Sequence, residues 1–199
     1  MTDPLTRIDW RHAVLLVMDY QAGILDRIED SEALLSRAND AINVVRRRGG
    51  QIGYVRIAFE DADYDSIPST SPMAQAAAAG RAYHADSPAT AIHQDIAPQA
   101  GDIVVRKTRV GAFSTTDLHQ QLSDRGITTL ILAGISTSGV VLSTVRDAAD
   151  RDYRVLVLTD ASADPRPDVH EFLTNEIFPR QAQVITIAEL GSLPSDSKV

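Results

Sequence analysis

Six short apolar runs separated by amphipathic stretches constrain this chain more than any other feature. Residues 13–18, 51–59, 102–106, 128–133, 154–158 and 183–187 are rich in Val, Ile and Leu and read as strands. Because most positions in these runs are apolar, without alternation, each strand is expected to be covered on both faces. That pattern belongs to a parallel sheet with helices on either side. The intervening segments 31–48, 115–124, 140–151 and 167–178 carry helical periodicity. Gly49 and Gly126 are placed to close two of these helices as left-handed caps, and Thr115 or Thr116 to open another with Asp117 in its first turn. The expectation is an α/β chain: a three-layer α/β/α Rossmann-like fold around a six-stranded parallel sheet. At 199 residues, all of 1–199 fits one domain.

The regular alternation fails only over 60–100, where Asp, Ser, Pro and an alanine run from Ala76 to Ala79 precede the third strand. A connection this long without a strand usually carries function or covers a site, and a short helix is expected near 72–82. The polar tail 194–199 is expected to be frayed.

Charge and residue types exclude several classes of function. A net charge of −8 opposes nucleic acid, and the Arg46–Arg47–Arg48 run suits a helix end. Asp3, Arg7, Asp9 and Arg11 precede the first apolar run, and no apolar stretch reaches membrane-spanning length, so a cytoplasmic protein without membrane partners is expected. The chain has no cysteine, which removes disulfides, thiolate metal sites and a thiol nucleophile. Neither a G-x-G-x-x-G nor a G-x-x-x-x-G-K-[ST] pattern follows a strand, so no cofactor is implied.

In an open parallel sheet, ligands bind outside the carboxyl ends of the strands. Asp19, Lys107, the 134–139 loop and Asp160 stand at such ends. Asp19 follows a buried run that raises a carboxylate's pKa unless a cation is near, and Lys107 is the candidate cation. The two together make a plausible proton-transfer pair. An Asp in this place is also a common helix-cap or turn residue. Gly134, Ile135, Ser136, Thr137, Ser138 and Gly139 form a small-residue turn leading into a helix, whose backbone N–H groups are candidates for holding an anion. Thr137 and Ser138 serve equally well as capping residues, and with Ser143 they are the hydroxyls that a nucleophile would have to come from. Gln21 either contacts ligand or orients its turn. Arg109 and Phe113 are candidate pocket residues, with Phe113 alternatively a packing staple. His84 and His93 read as surface residues, and His170 as part of the last long helix.

The runs LLVMDYQ, VVRKTRVGAFSTTDL and LILAGISTSGVVLSTVRDAADRDYRVLVLTDASAD, in that order, resemble the isochorismatase-like cysteine hydrolase superfamily over about 14–190. The resemblance implies that Asp19 is a proton donor or acceptor, that Lys107 is its partner, and that a cis peptide falls at Gly134–Ile135. It places the catalytic cysteine at residue 140, which here is Val140. A valine side chain has no lone pair, so a covalent thioester route is closed. One branch of the family also lacks the cysteine, carrying glycine there, and works by protonation from the aspartate. The resemblance thus implies either a cysteine-independent hydrolase of a small organic molecule, with Asp19 as general acid or base and Lys107 tuning it, or a degenerate member that binds a small ligand or serves as an oligomer subunit without turnover. It also implies a homodimer or homotetramer. The Asp and His metal cluster of the family's nicotinamidases has no counterpart in 60–93, so no metal is expected.

Overall fold

A computed structural model describes residues 7–81 and 83–196. Its six strands are β1 (Ala13–Met18), β2 (Gln51–Ile57), β3 (Ile103–Lys107), β4 (Thr129–Ile135), β5 (Arg154–Ala163) and β6 (Gln183–Ile185). They form one parallel sheet in the order β3-β2-β1-β4-β5-β6. The chain builds outward from β1 in one direction and from β4 in the other. The switch point therefore lies between β1 and β4, whose carboxyl ends are in register at Met18 and Gly134.

The helices are α1 (Ala22–Leu25), α2 (Ser31–Arg47), α3 (Asp61–Asp65), α4 (Pro72–Ala79), α5 (Leu118–Asp124), α6 (Leu142–Asp150), α7 (Pro167–Phe172) and α8 (Ile187–Ser192). Successive strand side chains point to opposite faces, so β1 sends Leu15 and Val17 into one core and Val14, Leu16 and Met18 into the other. The first core is closed by Leu34, Ala38, Ile42 and Val45 of α2 and Leu190 of α8. The second is closed by Leu118 and Leu122 of α5, Val145 and Ala148 of α6, and Phe178. Every residue of β1 and β4 is buried, which is why their sequence reads as a continuous apolar run. Truncating a buried leucine such as Leu16 to alanine would cost roughly 2–5 kcal/mol.

Several boundaries differ from expectation for identifiable reasons. β5 runs five residues past Leu158, because its polar residues find partners: Asp160 accepts from Ile187 N–H (3.1 Å) at the start of α8, and Ser162 Oγ accepts from Gly134 N–H (3.3 Å). Asp160 is thus a helix-capping residue inside a strand, not a strand-end site residue. α5 opens only at Leu118, since Thr115 adopts a left-handed φ of 60° and its hydroxyl accepts from Thr108 N–H (3.0 Å) instead of capping a helix. The expected helix 140–151 is entered through a wide π-helical turn at Thr137–Val141, and the expected helix 167–178 contains another at Leu173–Ile177. Gly49 and Gly126 take the expected left-handed cap conformation, with φ of 81° and 64°.

The expected helix near 72–82 spans Pro72–Ala79, and Ala82 lies outside the described residues. The tail is not frayed where it is described: Ile8 N–H donates to Pro194 O (3.0 Å) and Asp196 N–H to Ile8 O (2.9 Å). Residues 1–6 and 197–199, on which the expectations of a leaderless start and a frayed end partly rest, lie outside the described residues. Among the described residues no helix is long and apolar enough to cross a membrane.

Candidate active site

β1 ends at Met18, and the chain turns sharply at Asp19, which has φ of 62°. Asp is one of the few residues that tolerate this left-handed conformation. The turn is fastened by Asp19 N–H donating to Val55 O (2.8 Å) and Gln21 N–H donating to Asp19 O (2.8 Å). Asp19 is thereby delivered, 4% exposed, to the switch point. Lys107, the last residue of β3, is 1% exposed, and its Nζ lies 2.8 Å from Asp19 Oδ2 while also donating to Arg109 O (3.2 Å). Asp19 Oδ1, also buried, has no hydrogen-bond partner among the described residues.

Burial raises the Asp19 pKa to about 6, against the opposing pull of the Lys107 charge. The nearby Ile57 N–H adds little, because it is committed to Gln21 Oε1 (2.8 Å). The anticipated competition between desolvation and a neighbouring cation is thus won by desolvation. The outcome is a carboxyl group able to change protonation state near neutral pH.

The second wall comes from the turn after β4. Gly134 is needed there because a Cβ would come within 3.0 Å of Val141 Cγ2 and 3.2 Å of Met18 Cβ, where helix and strand approach closely. The cis peptide expected at Gly134–Ile135 is found one bond later, at Ile135–Ser136. Gly134 and Ile135 are still paired with Ser162 and Ala163 of β5, so the expected bond sits inside an extended ladder that demands trans geometry. Val140 is 2% exposed and lines the pocket.

Three of the turn amides are engaged within the protein. Ser138 N–H donates to Asp164 Oδ2 (2.8 Å), and Gly139 and Val141 N–H both donate to Ser136 O (3.1 and 3.3 Å). Thr137 is fully buried, and its hydroxyl meets His170 Nδ1 at 2.8 Å, while His170 Nε2 meets Thr159 Oγ1 at 3.3 Å. Burial lowers the His170 pKa, which favours a neutral ring bridging two hydroxyls. His170 does lie on the expected helix, with the added task of bracing the turn.

These walls enclose a cavity of about 500 Å³. Asp19, Lys107, Val140, Arg109, Ile135, Ser136 and Gly139 all line it, so the structure brings these predicted site residues together. Gly134, Thr137 and Ser138 sit behind the wall and hold it in place. Gln21 does not reach the pocket: its amide clamps β2 to the long connection, donating to Ile57 O (2.9 Å) and Thr90 O (2.7 Å). Phe113 packs elsewhere, its ring stacked on Tyr153 at 6.1 Å with the Arg151 guanidinium over it.

Sequence reasoning missed Arg27, Phe59 and Tyr83, which also line it. Arg27 follows a four-residue helix too short to register as periodic, and Tyr83 lies in the irregular connection, tied to β2 by Phe59 N–H donating to Tyr83 O (2.8 Å). The length of that connection was the one available signal. His84 and His93 are half-buried, His84 stacking on Tyr64.

Comparison with known proteins agrees with this architecture. The chain is 34% identical over 182 residues to the isochorismatase family protein YwoC of Bacillus subtilis, covering 92% of this chain and 94% of that one. It is 27% identical over 167 residues to an Arabidopsis thaliana protein described as a probable inactive nicotinamidase, covering 81% and 85%. An isochorismatase family protein from Burkholderia thailandensis superposes with a TM-score of 0.80 at 28% identity, covering 92% and 95%. Residues 13–189, nearly all of the sheet and its covering helices, match the isochorismatase domain, and the chain belongs to the isochorismatase family.

Proposed function

We propose that the chain hydrolyses a small organic molecule with water as nucleophile and Asp19 as the proton-transfer group. One observation carries the reading: Asp19 is buried beside the pocket with Lys107 on one oxygen and, among the described residues, no hydrogen-bond partner on the other. A buried ion pair with an unsatisfied carboxylate oxygen is costly for a mere scaffold. It suits a site where water or substrate supplies the missing contact. In the cycle, Asp19 accepts a proton from water as the water oxygen bonds to the electrophilic carbon. The proton then passes to the leaving oxygen or nitrogen as its bond to that carbon breaks. Lys107 sets the pKa of Asp19 and holds its carboxylate in place. Membership of a hydrolase family supports the reaction class, and valine at position 140 offers no nucleophile for a covalent route through that residue.

A second reading, ligand binding without turnover, is favoured by Val140 itself and by the relative described as inactive. A hydrolysis screen against amides, vinyl ethers and esters of small carboxylic acids, with Asp19→Asn alongside, separates the two. The expected result is turnover that falls on the order of 10²–10⁴-fold in the variant. Equal turnover by the variant would remove Asp19 from the reaction, and no turnover across the panel would transfer the assignment to binding alone.

A further inference from the structure

We infer that Gln21 is a positioning residue for Asp19: its side-chain carbonyl holds the Ile57 N–H and so keeps the second Asp19 oxygen free for water or substrate. This role rests on the reading of Asp19 as the proton-transfer group, and it concerns the oxygen that Lys107 does not hold. Gln21 is fully buried, two residues beyond Asp19. Its amide is committed at both ends: Nε2 donates to Ile57 O (2.9 Å) and Thr90 O (2.7 Å), and Oε1 accepts from Ile57 N–H (2.8 Å). These partners fix the amide's orientation, because a flipped amide would set its NH2 against the Ile57 N–H and its oxygen against two carbonyls.

The Ile57 N–H also lies close to the Asp19 carboxylate, where its approach favours the ionised form. A single N–H makes one good hydrogen bond, and Gln21 takes it. A carboxylate already given a backbone hydrogen bond binds a proton less readily, so diverting this donor keeps Asp19 the stronger base. Lys107 is the charged partner of Asp19, and Arg27, Arg109 and Tyr83 are the other ionisable side chains lining the same cavity. None of them is a hydrogen-bond partner of Gln21.

The same amide ties the Asp19 turn to the long connection, which is fastened beside it by His93 N–H donating to Tyr20 O (3.0 Å). A clamp and a positioning residue differ in what their loss does to Asp19. Loosening the connection costs stability and leaves the carboxyl group as it was. Removing the acceptor on Ile57 hands that N–H to Asp19.

The test is NMR of the intact, isotopically labelled protein through the titration of Asp19, whose carboxyl signal is identified by its absence in Asp19→Asn. In the parent protein a through-hydrogen-bond coupling should join the Ile57 nitrogen to the Gln21 side-chain carbonyl carbon on both sides of that titration. A coupling to the Asp19 carboxyl carbon instead would overturn the inference, and this measurement decides should variants at Gln21 fold poorly. Gln21→Met, of similar length but without an acceptor, should lower the pH at which Asp19 titrates by about one pH unit. Thr90→Val removes the hydroxyl that donates to His84 O (2.9 Å) and Ser87 O (2.8 Å) and leaves Gln21 Oε1 on Ile57, so Asp19 should titrate as in the parent. An unmoved Asp19 in Gln21→Met, or an equal shift in Thr90→Val, would reduce Gln21 to a clamp and overturn the inference. Neither readout needs a substrate, so the expected coupling and shift in a protein that hydrolyses nothing would sink the hydrolase reading alone. Turnover that depends on Asp19, with a titration indifferent to Gln21, would sink this inference alone.

Discussion

The turns after β1 and β4 stand side by side at the switch point, and they have been treated very differently. The turn after β1 presents a charged group, Asp19, paired with Lys107 at 2.8 Å and tunable near neutral pH. The turn after β4 presents Val140, which has no chemistry to offer, on a frame braced by His170, Thr159 and Asp164. A buried carboxylate–ammonium pair therefore stands at this switch point, with its energetic cost, beside a position whose side chain offers no nucleophile.

The sharpest way to break the comparison is Lys107→Met. It strands a buried carboxylate and should destabilise the protein by about 3–5 kcal/mol in urea unfolding at neutral pH. Asp19→Asn in the same chain should recover much of that loss. If Asp19 acts as a base, activity falls on the acid side with a limb near pH 6, the pKa that burial gives it. Without the Lys107 cation the protonated form is favoured further, so the limb must move to higher pH. A limb that stays in place would detach Lys107 from the chemistry.

The frame of the turn after β4 is tested by Thr137→Val, which keeps the shape but leaves His170 Nδ1 without its 2.8 Å partner. A loss of roughly 1–3 kcal/mol is expected. Gentlest on stability is Val140→Cys, a change of similar volume expected to cost less than about 1.5 kcal/mol. It introduces the sole thiol of the chain. If the cation of Lys107 is felt across the pocket, that thiol should alkylate with iodoacetamide faster at neutral pH than one placed on an exposed helix. Equal rates would show that the two turns no longer act on a common point.

Much of the frame was legible in the sequence because burial on both faces leaves β1 wholly apolar and β4 with a single polar residue, Thr129, at its start. Asp19 and Lys107 were legible for a related reason, since each stands at a strand end, whereas Val140 was marked only by the resemblance to a family that carries cysteine there. What escaped depends on contacts distant in sequence. Asp160 could not be recognised as a cap before α8 was placed against it, nor Thr137 as a brace before His170 reached it from another helix. Gln21 is indistinguishable from a ligand-binding amide until Ile57 and Thr90 occupy its donors. Arg27 sits beyond four helical residues, too few to show a period.

Valine at the pocket wall has one more consequence. Among the lining residues there is neither cysteine nor methionine. Peroxide and electrophiles silence thiol-dependent hydrolases by oxidising or capping the nucleophile. Here they would find no sulfur in the pocket lining to attack, so that route of inactivation is closed at the pocket wall.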